Sequence, residues 1–167
     1  TVPKNFNPAV EKGLLESMQK GVLAGYPVVY LKADLYDGSY HPVDSSEMAF
    51  KIAASLAYKE GLMKANPVLL EPVANVKVYA PSDMIGDIMS AFTKRRGRVL
   101  GMTPTERKGE QMLEAEAPIA EMSDFAIQLR AITQGRGTYT MKFERYEDVP
   151  QMVADKIIAE AKANAEE

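Results

Sequence analysis

Positively charged side chains beside turns carry the strongest chemical signal in this sequence. The densest group, Lys-Arg-Arg-Gly-Arg at positions 94–98, places four cations at the predicted end of a helix. A second guanidinium lies in Gln-Gly-Arg-Gly at 134–137, where two glycines free the backbone. Part of the first group would offset the helix macrodipole, but four cations exceed that need and suit a phosphate backbone. The candidate residues are Lys94, Arg95, Arg96, Arg98, Gln134 and Arg136.

The single histidine, His41, is the second candidate, and it lies in a predicted loop between Tyr40 and Pro42. An exposed imidazole beside an aromatic ring can stack on bases or contact phosphate. A solvated turn histidine without a role is the alternative. With one histidine and no cysteine among 167 residues, we expect no His-based triad, no thiolate nucleophile and no metal site built from cysteines or several histidines.

Enzymatic motifs are absent from the sequence. It contains no Gly-x-x-x-x-Gly-Lys-Ser/Thr phosphate loop and no Gly-x-Gly-x-x-Gly that follows a strand and opens a helix. The alternating carboxylates Glu114 and Glu116 are predicted to project from the solvated face of a strand, where charge is expected without catalysis. We therefore expect this chain to be no enzyme by itself and to hold no cofactor or metal.

The net charge of −3 at pH 7 comes from residues 148–167, which hold two lysines and five acids. The rest of the chain is neutral on average, so local clusters of charge decide which partners it attracts. Composition is that of a globular protein, with 46% hydrophobic and 26% charged residues. No apolar run approaches the ~18 residues that cross a bilayer, and we expect no membrane partner.

The type of basic residue divides the chain near Pro67, where it changes from lysine only to largely arginine. Before that point the pattern predicts a helix over 8–20, a strand over 26–36, a loop over 37–42 and a helix that stops before Asn66. The second helix begins with a capping box of Asp44 and Glu47, or with Ser45 or Ser46 as its cap. Its apolar face carries Met48, Ile52, Leu56 and Met63.

The second half of the chain has the order strand, helix, strand, strand, helix, strand, followed by a last helix. The strands are predicted over 75–80, 98–102, 112–118 and 138–146. One helix opens at Pro81 and Ser82, the next is capped by Ser123 or Asp124, and the last begins at Pro150. This order is the split βαβ, or ferredoxin-like, arrangement, which predicts an α+β fold with one antiparallel sheet and both crossover helices on one face.

Five segments together point to one family. They are Asp-Gly-Ser-Tyr-His at 37–41, Val-Asp-Ser-Ser-Glu-Met-Ala-Phe at 43–50, Asn-Pro-Val-Leu-Leu-Glu-Pro at 66–72, Arg-Arg-Gly-Arg at 95–98 and Thr-Gln-Gly-Arg-Gly at 133–137. In this order, from about Pro3 to Pro150, the chain resembles the C-terminal part of bacterial elongation factor G, the translocase GTPase of the ribosome.

The resemblance implies two domains. Residues 1–67 would be the C-terminal portion of domain IV, a truncated α/β domain of the type with a left-handed βαβ crossover. Residues 68–167 would be the ferredoxin-like domain V, with a C-terminal helix from about 150. The chain would then be a fragment of a longer GTPase, with GTP and magnesium bound in the parent's G domain. An unpaired strand edge at 26–36 would favour self-association and would leave 1–67 less stable than 68–167 or completed by a partner chain.

The resemblance also implies a function, the promotion of tRNA–mRNA translocation in the cytoplasm. Its tip loop would reach the A-site tRNA–mRNA region at the decoding centre. In this sequence the tip residues are Tyr40, His41, Asp44, Ser45 and Ser46. The cations at 94–98 and 134–137, with Gln134, would be rRNA contacts on the large subunit.

Two alternatives stay open at this point. Segments 90–94 and 122–125 depart from the usual family pattern, which suggests a diverged paralogue acting in ribosome recycling or ribosomal protection. Because ferredoxin-like domains serve many purposes, a ligand-binding or interaction module is the other reading.

Overall fold

The computed structural model describes residues 1–166, which form two compact units. The first unit combines Thr1–Leu69 with the chain from Pro150 onwards, and the second is Leu70–Val149. The helices are α1 (Asn7–Ser17), α2 (Glu47–Lys64), α3 (Ile85–Lys94), α4 (Phe125–Thr133) and α5 (Gln151–Ala165). The strands are β1 (Leu70–Pro81), β2 (Arg98–Pro104), β3 (Glu110–Pro118) and β4 (Thr138–Asp148). Short 3-10 turns occupy Lys4–Phe6, Ser82–Met84 and Ile119–Glu121.

The second unit is built on a four-stranded antiparallel sheet with the strand order β2-β3-β1-β4. The central strand β1 pairs with β3 on one side and with β4 on the other. Helix α3 connects β1 to β2, and α4 connects β3 to β4. The predicted α+β class and the ferredoxin-like order of elements are therefore confirmed.

The core of this unit lies between the sheet and its two helices. Alternate residues of the central strands are fully buried, as the period of a strand requires; they include Val76, Val78, Leu113 and Ala115. The ring of Phe125 on α4 lies 5.0 Å from that of Phe92 on α3 and 5.0 Å from that of Tyr139 on β4. Each large apolar side chain buried here stabilises the fold by roughly 1.5–3 kcal/mol. The result is a rigid base for the loops at both ends of the sheet.

In the first unit, α1 packs closely against α2 because Gly13 has no side chain. A Cβ at this position would lie 2.6 Å from the carbonyl oxygen of Lys51 and 3.1 Å from the Cβ of Ala54. The ammonium of Lys51 also pairs with the Glu16 carboxylate at 2.7 Å. This contact fixes α2, whose N-terminus follows directly on the loop of His41.

The strand predicted over 26–36 is wrong. The segment is irregular, Tyr30 has a φ of 58°, and the side chains of Tyr30 and Tyr36 are almost fully exposed. A strand needs a neighbour for its backbone N–H and C=O groups, and residues 1–69, all described by the structure, contain no other strand. For the same reason the left-handed crossover implied for 1–67 and the unpaired strand edge expected there are not formed by these residues.

The apolar face predicted for α2 is exposed, which corrects the assignment of Met48, Ile52, Leu56 and Met63. A second row, with residues four apart, is buried instead and consists of Phe50, Ala54, Tyr58 and Leu62. The helix is apolar on both sides, and the row containing small Ala54 allows the close contact with Gly13. None of the helices within residues 1–166 has the length and apolar character needed to cross a bilayer.

Candidate nucleic-acid interface

Hydrogen bonds between His41 and the residues three and four positions later close the loop. The backbone N–H groups of Asp44 and Ser45 donate to the carbonyl oxygen of His41, at 3.2 and 2.8 Å. In return, the N–H of His41 donates to the hydroxyl of Ser45 at 2.9 Å. The side chain of His41 remains exposed. The loop therefore presents an imidazole to solvent from a residue whose backbone N–H and C=O are both hydrogen-bonded.

Ser46, the residue after Ser45, lies directly before the first residue of α2. Ser46 is the N-cap, with an extended backbone, and its hydroxyl accepts a hydrogen bond from the N–H of Ala49 at 3.1 Å. Ser46 is one of the two alternative caps predicted, and Asp44 is not the cap. A side-chain cap of this kind contributes about 1 kcal/mol to the helix. Ser45 and Ser46 thus have separate tasks, one in the loop and one in the helix.

A row of aromatic rings supports the other side of the loop. The ring of Phe6 stacks on that of Phe50 with centroids 4.6 Å apart, and the ring of Tyr40 lies 5.8 Å from Phe6. Phe50 belongs to the buried face of α2. Tyr40, predicted as part of the tip, therefore attaches the loop to α2 by its packing, while part of its ring remains exposed.

Arg95 is buried, and its guanidinium is used inside the second unit. It donates to the Asp124 carboxylate at 2.9 Å and to the carbonyl oxygen of Ala91 at 3.0 Å. It also lies over the ring of Phe125, 5.6 Å from the centroid, a favourable cation–π arrangement. Arg95 connects the end of α3 to the start of α4, and this position leaves it out of contact with an external phosphate.

Arg96 forms a bidentate ion pair with Glu71, with nitrogen–oxygen distances of 2.7 and 2.9 Å. A third hydrogen bond joins it to Glu121 at 3.2 Å. The Glu71 side chain is only 12% exposed and that of Arg96 28%. The hydrogen bonds to Glu71 raise the pKa of Arg96 above its usual value, because they stabilise the charged guanidinium. Two family-like segments, 66–72 and 95–98, are thus joined by a structural ion pair.

Glu116 on β3 joins Arg98 and Arg145, which approach its two oxygens at 2.8–2.9 Å. The hydrogen bonds from Arg145, and then those from Arg98, lower the pKa of Glu116 to about 2. Its side chain is 11% exposed, so the expectation that this carboxylate projects into solvent is wrong. The side chain of Arg98 itself is largely exposed.

The remaining predicted cations are available to solvent. Lys94 and Arg136 are exposed, and neither forms an ion pair with any side chain of residues 1–166. The guanidinium of Arg136 lies 3.6 Å from the sulfur of Met84, which holds its loop beside the start of α3. Gln134 ends α4 in the left-handed conformation, with a φ of 53°. Of the predicted contacts in this unit, Lys94, Arg98, Gln134 and Arg136 are placed where a partner can reach them.

Sequence reasoning missed the carboxylates that hold the arginines, namely Glu71, Glu121, Asp124 and Glu116. Glu71 precedes Arg96 by 25 residues, so helix spacing could not connect them. A cross-strand pairing of Arg98 with Glu116 was the one accessible signal, because these residues face each other in the register of β2 and β3.

Comparison with known proteins gives two adjacent matches that cover most of the chain. Residues 1–66 match the family described as elongation factor G, domain IV. Residues 68–157 match the elongation factor G C-terminus. The boundary between the two matches coincides with the change in basic residues near Pro67.

A solved structure agrees with these matches. The chain is similar to a protein from Thermus thermophilus whose crystal structure superposes with a TM-score of 0.85 at 44% sequence identity. The similarity covers 97% of this chain and 24% of that one, so the chain spans about a quarter of the length of its relative. With both halves matched in order, the chain belongs to the elongation factor G family, of which it carries domain IV and the C-terminal region.

Proposed function

We propose that this chain is the ribosome-facing part of a GTPase that promotes tRNA–mRNA translocation. The observation that carries the proposal is the His41 loop, an exposed imidazole on a backbone that is bonded on both sides and rests on α2. Loops presented by rigid elements are the usual carriers of recognition. An imidazole at such a tip can stack on bases or donate to phosphate at the A site.

The GTPase activity is assigned to the parent protein. GTP and magnesium would bind in a G domain outside this chain, and the chain itself would supply contacts to RNA.

The second unit would contribute contacts to rRNA through Lys94, Arg98, Gln134 and Arg136. Arg95 and Arg96 are left out of this interface because carboxylates of the same unit bind them and their side chains are only 7% and 28% exposed. Arg98 also pairs with a carboxylate, that of Glu116, but its side chain is 69% exposed and can still reach a partner. Each cation that neutralises a phosphate makes the slope of log affinity against log salt more negative by roughly one.

Translocation kinetics in the full-length protein test the proposal. His41→Ala should slow translocation at least tenfold while ribosome-stimulated GTP hydrolysis stays near the wild-type rate. Val43→Ala is the matched control, since Val43 lies in the same loop and is 94% exposed. An unchanged translocation rate in His41→Ala would refute the role of the imidazole. Slowed recycling with normal translocation would identify a paralogue of different function.

A further inference from the structure

The hydroxyl of Ser45 is the one side-chain partner of the His41 backbone among residues 1–166. It accepts the N–H of His41 at 2.9 Å, while the N–H of Ser45 donates to the carbonyl of His41 at 2.8 Å. The two residues therefore exchange two hydrogen bonds across three intervening positions. Both peptide groups that flank the Cα of His41 are thereby fixed by Ser45.

Ser45 is itself held in place by α2, so its hydrogen bonds fix the position of His41 relative to that helix. Ser45 immediately precedes Ser46, the N-cap of α2, and α2 is an 18-residue helix packed against α1. On the other side of His41, Tyr40 packs on Phe6, which stacks on Phe50 of the same helix. His41 is thus connected to α2 through the residues on both of its sides. The Ser45 hydroxyl makes the most direct of these connections, because it bonds to His41 itself.

We infer that Ser45 is a positioning residue for His41, acting through its hydroxyl on the backbone from which the imidazole projects. The inference rests on the proposed function, because it assigns to Ser45 a role in the same RNA contact. Ser45 itself need not contact RNA. Without the hydroxyl, the N–H of His41 has only water as its partner, and the loop samples more conformations.

A purely structural serine would give a different result from a positioning one. If Ser45 is purely structural, loss of its hydrogen bond lowers stability and impairs translocation by the same amount whether or not residue 41 is histidine. A positioning residue affects function only through the group it places. The two roles are therefore separated by a double-mutant cycle with His41.

The first measurement is hydrogen exchange in the full-length protein, read at single residues by mass spectrometry with fragmentation. Ser45→Ala should increase exchange at the His41 amide roughly five- to tenfold, the effect of one neutral hydrogen bond. Ser45→Thr keeps the hydroxyl and should restore protection. Ser39→Ala is the matched control, an exposed serine of the same loop. Unchanged exchange at His41 in Ser45→Ala would overturn the inference, independently of any ribosomal activity.

The second measurement is the translocation rate of the same variants. Ser45→Ala should slow translocation several-fold, Ser45→Thr should recover most of the rate, and Ser45→Ala should have no added effect in a His41→Ala background. Additive effects in the double variant would overturn the positioning role. If His41→Ala has no effect on translocation, the proposed function fails, while the exchange result still decides whether Ser45 orders the loop.

Discussion

The ion pair between Arg96 and Glu71 should stabilise the second unit, and its removal provides a quantitative test of the structural role assigned to this arginine. The two substitutions are Glu71→Gln and Arg96→Met, each of which keeps most of the side-chain volume. Either one leaves the opposite charge partly buried without its main partner. Arg96→Met also removes the hydrogen bond to Glu121 and is expected to cost more.

The magnitude follows from the exposure of the two groups. Exposed pairs contribute about 0–1 kcal/mol, whereas breaking a fully buried pair costs about 3–5 kcal/mol. With Glu71 at 12% and Arg96 at 28% exposure, the pair lies between these limits. We expect Glu71→Gln to lower the free energy of unfolding by about 2 kcal/mol, and Arg96→Met to lower it further because the hydrogen bond to Glu121 is also lost.

Urea unfolding followed by circular dichroism measures these changes. The double variant should lose about 1 kcal/mol less than the sum of the singles, because the two groups interact directly. The matched control is the pair of Lys64 and Glu60 on α2, 74% and 72% exposed, whose removal should change stability by less than about 0.5 kcal/mol. The structural role of Arg96 would be refuted if the single substitutions lowered stability no more than removal of the control pair, or if their effects were strictly additive. Arg96 would then again be a candidate for RNA contact.

Three further outcomes follow from the packing and charge of individual residues. Because the pKa of Glu116 is about 2 in the folded protein and ~4.3 in an unfolded chain, its contribution is present above about pH 5 and lost as the pH falls toward 2. Glu116→Gln should therefore lower stability at pH 7 by roughly 2 kcal/mol, a value reduced by solvent around Arg98, and flatten the acid limb of an unfolding titration. Tyr58→Phe should raise the midpoint of thermal unfolding by an amount equivalent to about 1 kcal/mol, since the buried hydroxyl has no hydrogen-bond partner in residues 1–166; a lower midpoint would contradict this. Gly97→Ala should cost about 1–3 kcal/mol in urea unfolding, because its Cβ would lie 2.8 Å from the carbonyl oxygen of Phe92.

The elements of the second unit were predictable because each one carries its own pattern. The period of two in 112–118 and the helical spacing from Ile85 to Phe92 reflect burial against a single core. The local sequence therefore identifies each element, and the structure differs from the prediction only in where the elements begin and end. For example, β1 begins at Leu70, whereas the predicted strand began at residue 75.

The first unit was less predictable because its patterns have more than one structural solution. Tyrosine and valine at 26–36 favour a strand, but strand formation depends on a partner that residues 1–69 do not provide. Helix α2 has two apolar rows, and the contact at Gly13 selects the one that is buried. Neither choice is encoded within the segment concerned.

The candidate interface was predicted in part. The position of His41 in an exposed loop follows from the turn residues around it, and the alternative caps included Ser46. The cations at 94–98 were harder to interpret, since charge density alone does not distinguish an RNA contact from an internal ion pair. The distinction depends on carboxylates that are distant along the chain and that only folding brings close.

Photo-crosslinking from position 41 tests the central claim most directly. A photoreactive amino acid replaces His41 in the full-length protein, and a second variant carries it at Met152, which is 87% exposed on α5. On ribosomes stalled during translocation, position 41 should crosslink to RNA of the A-site region, and position 152 should not crosslink to that RNA. Crosslinks from position 41 to protein alone, or equal RNA crosslinking from both positions, would contradict the assignment of the His41 loop as the RNA-contacting tip.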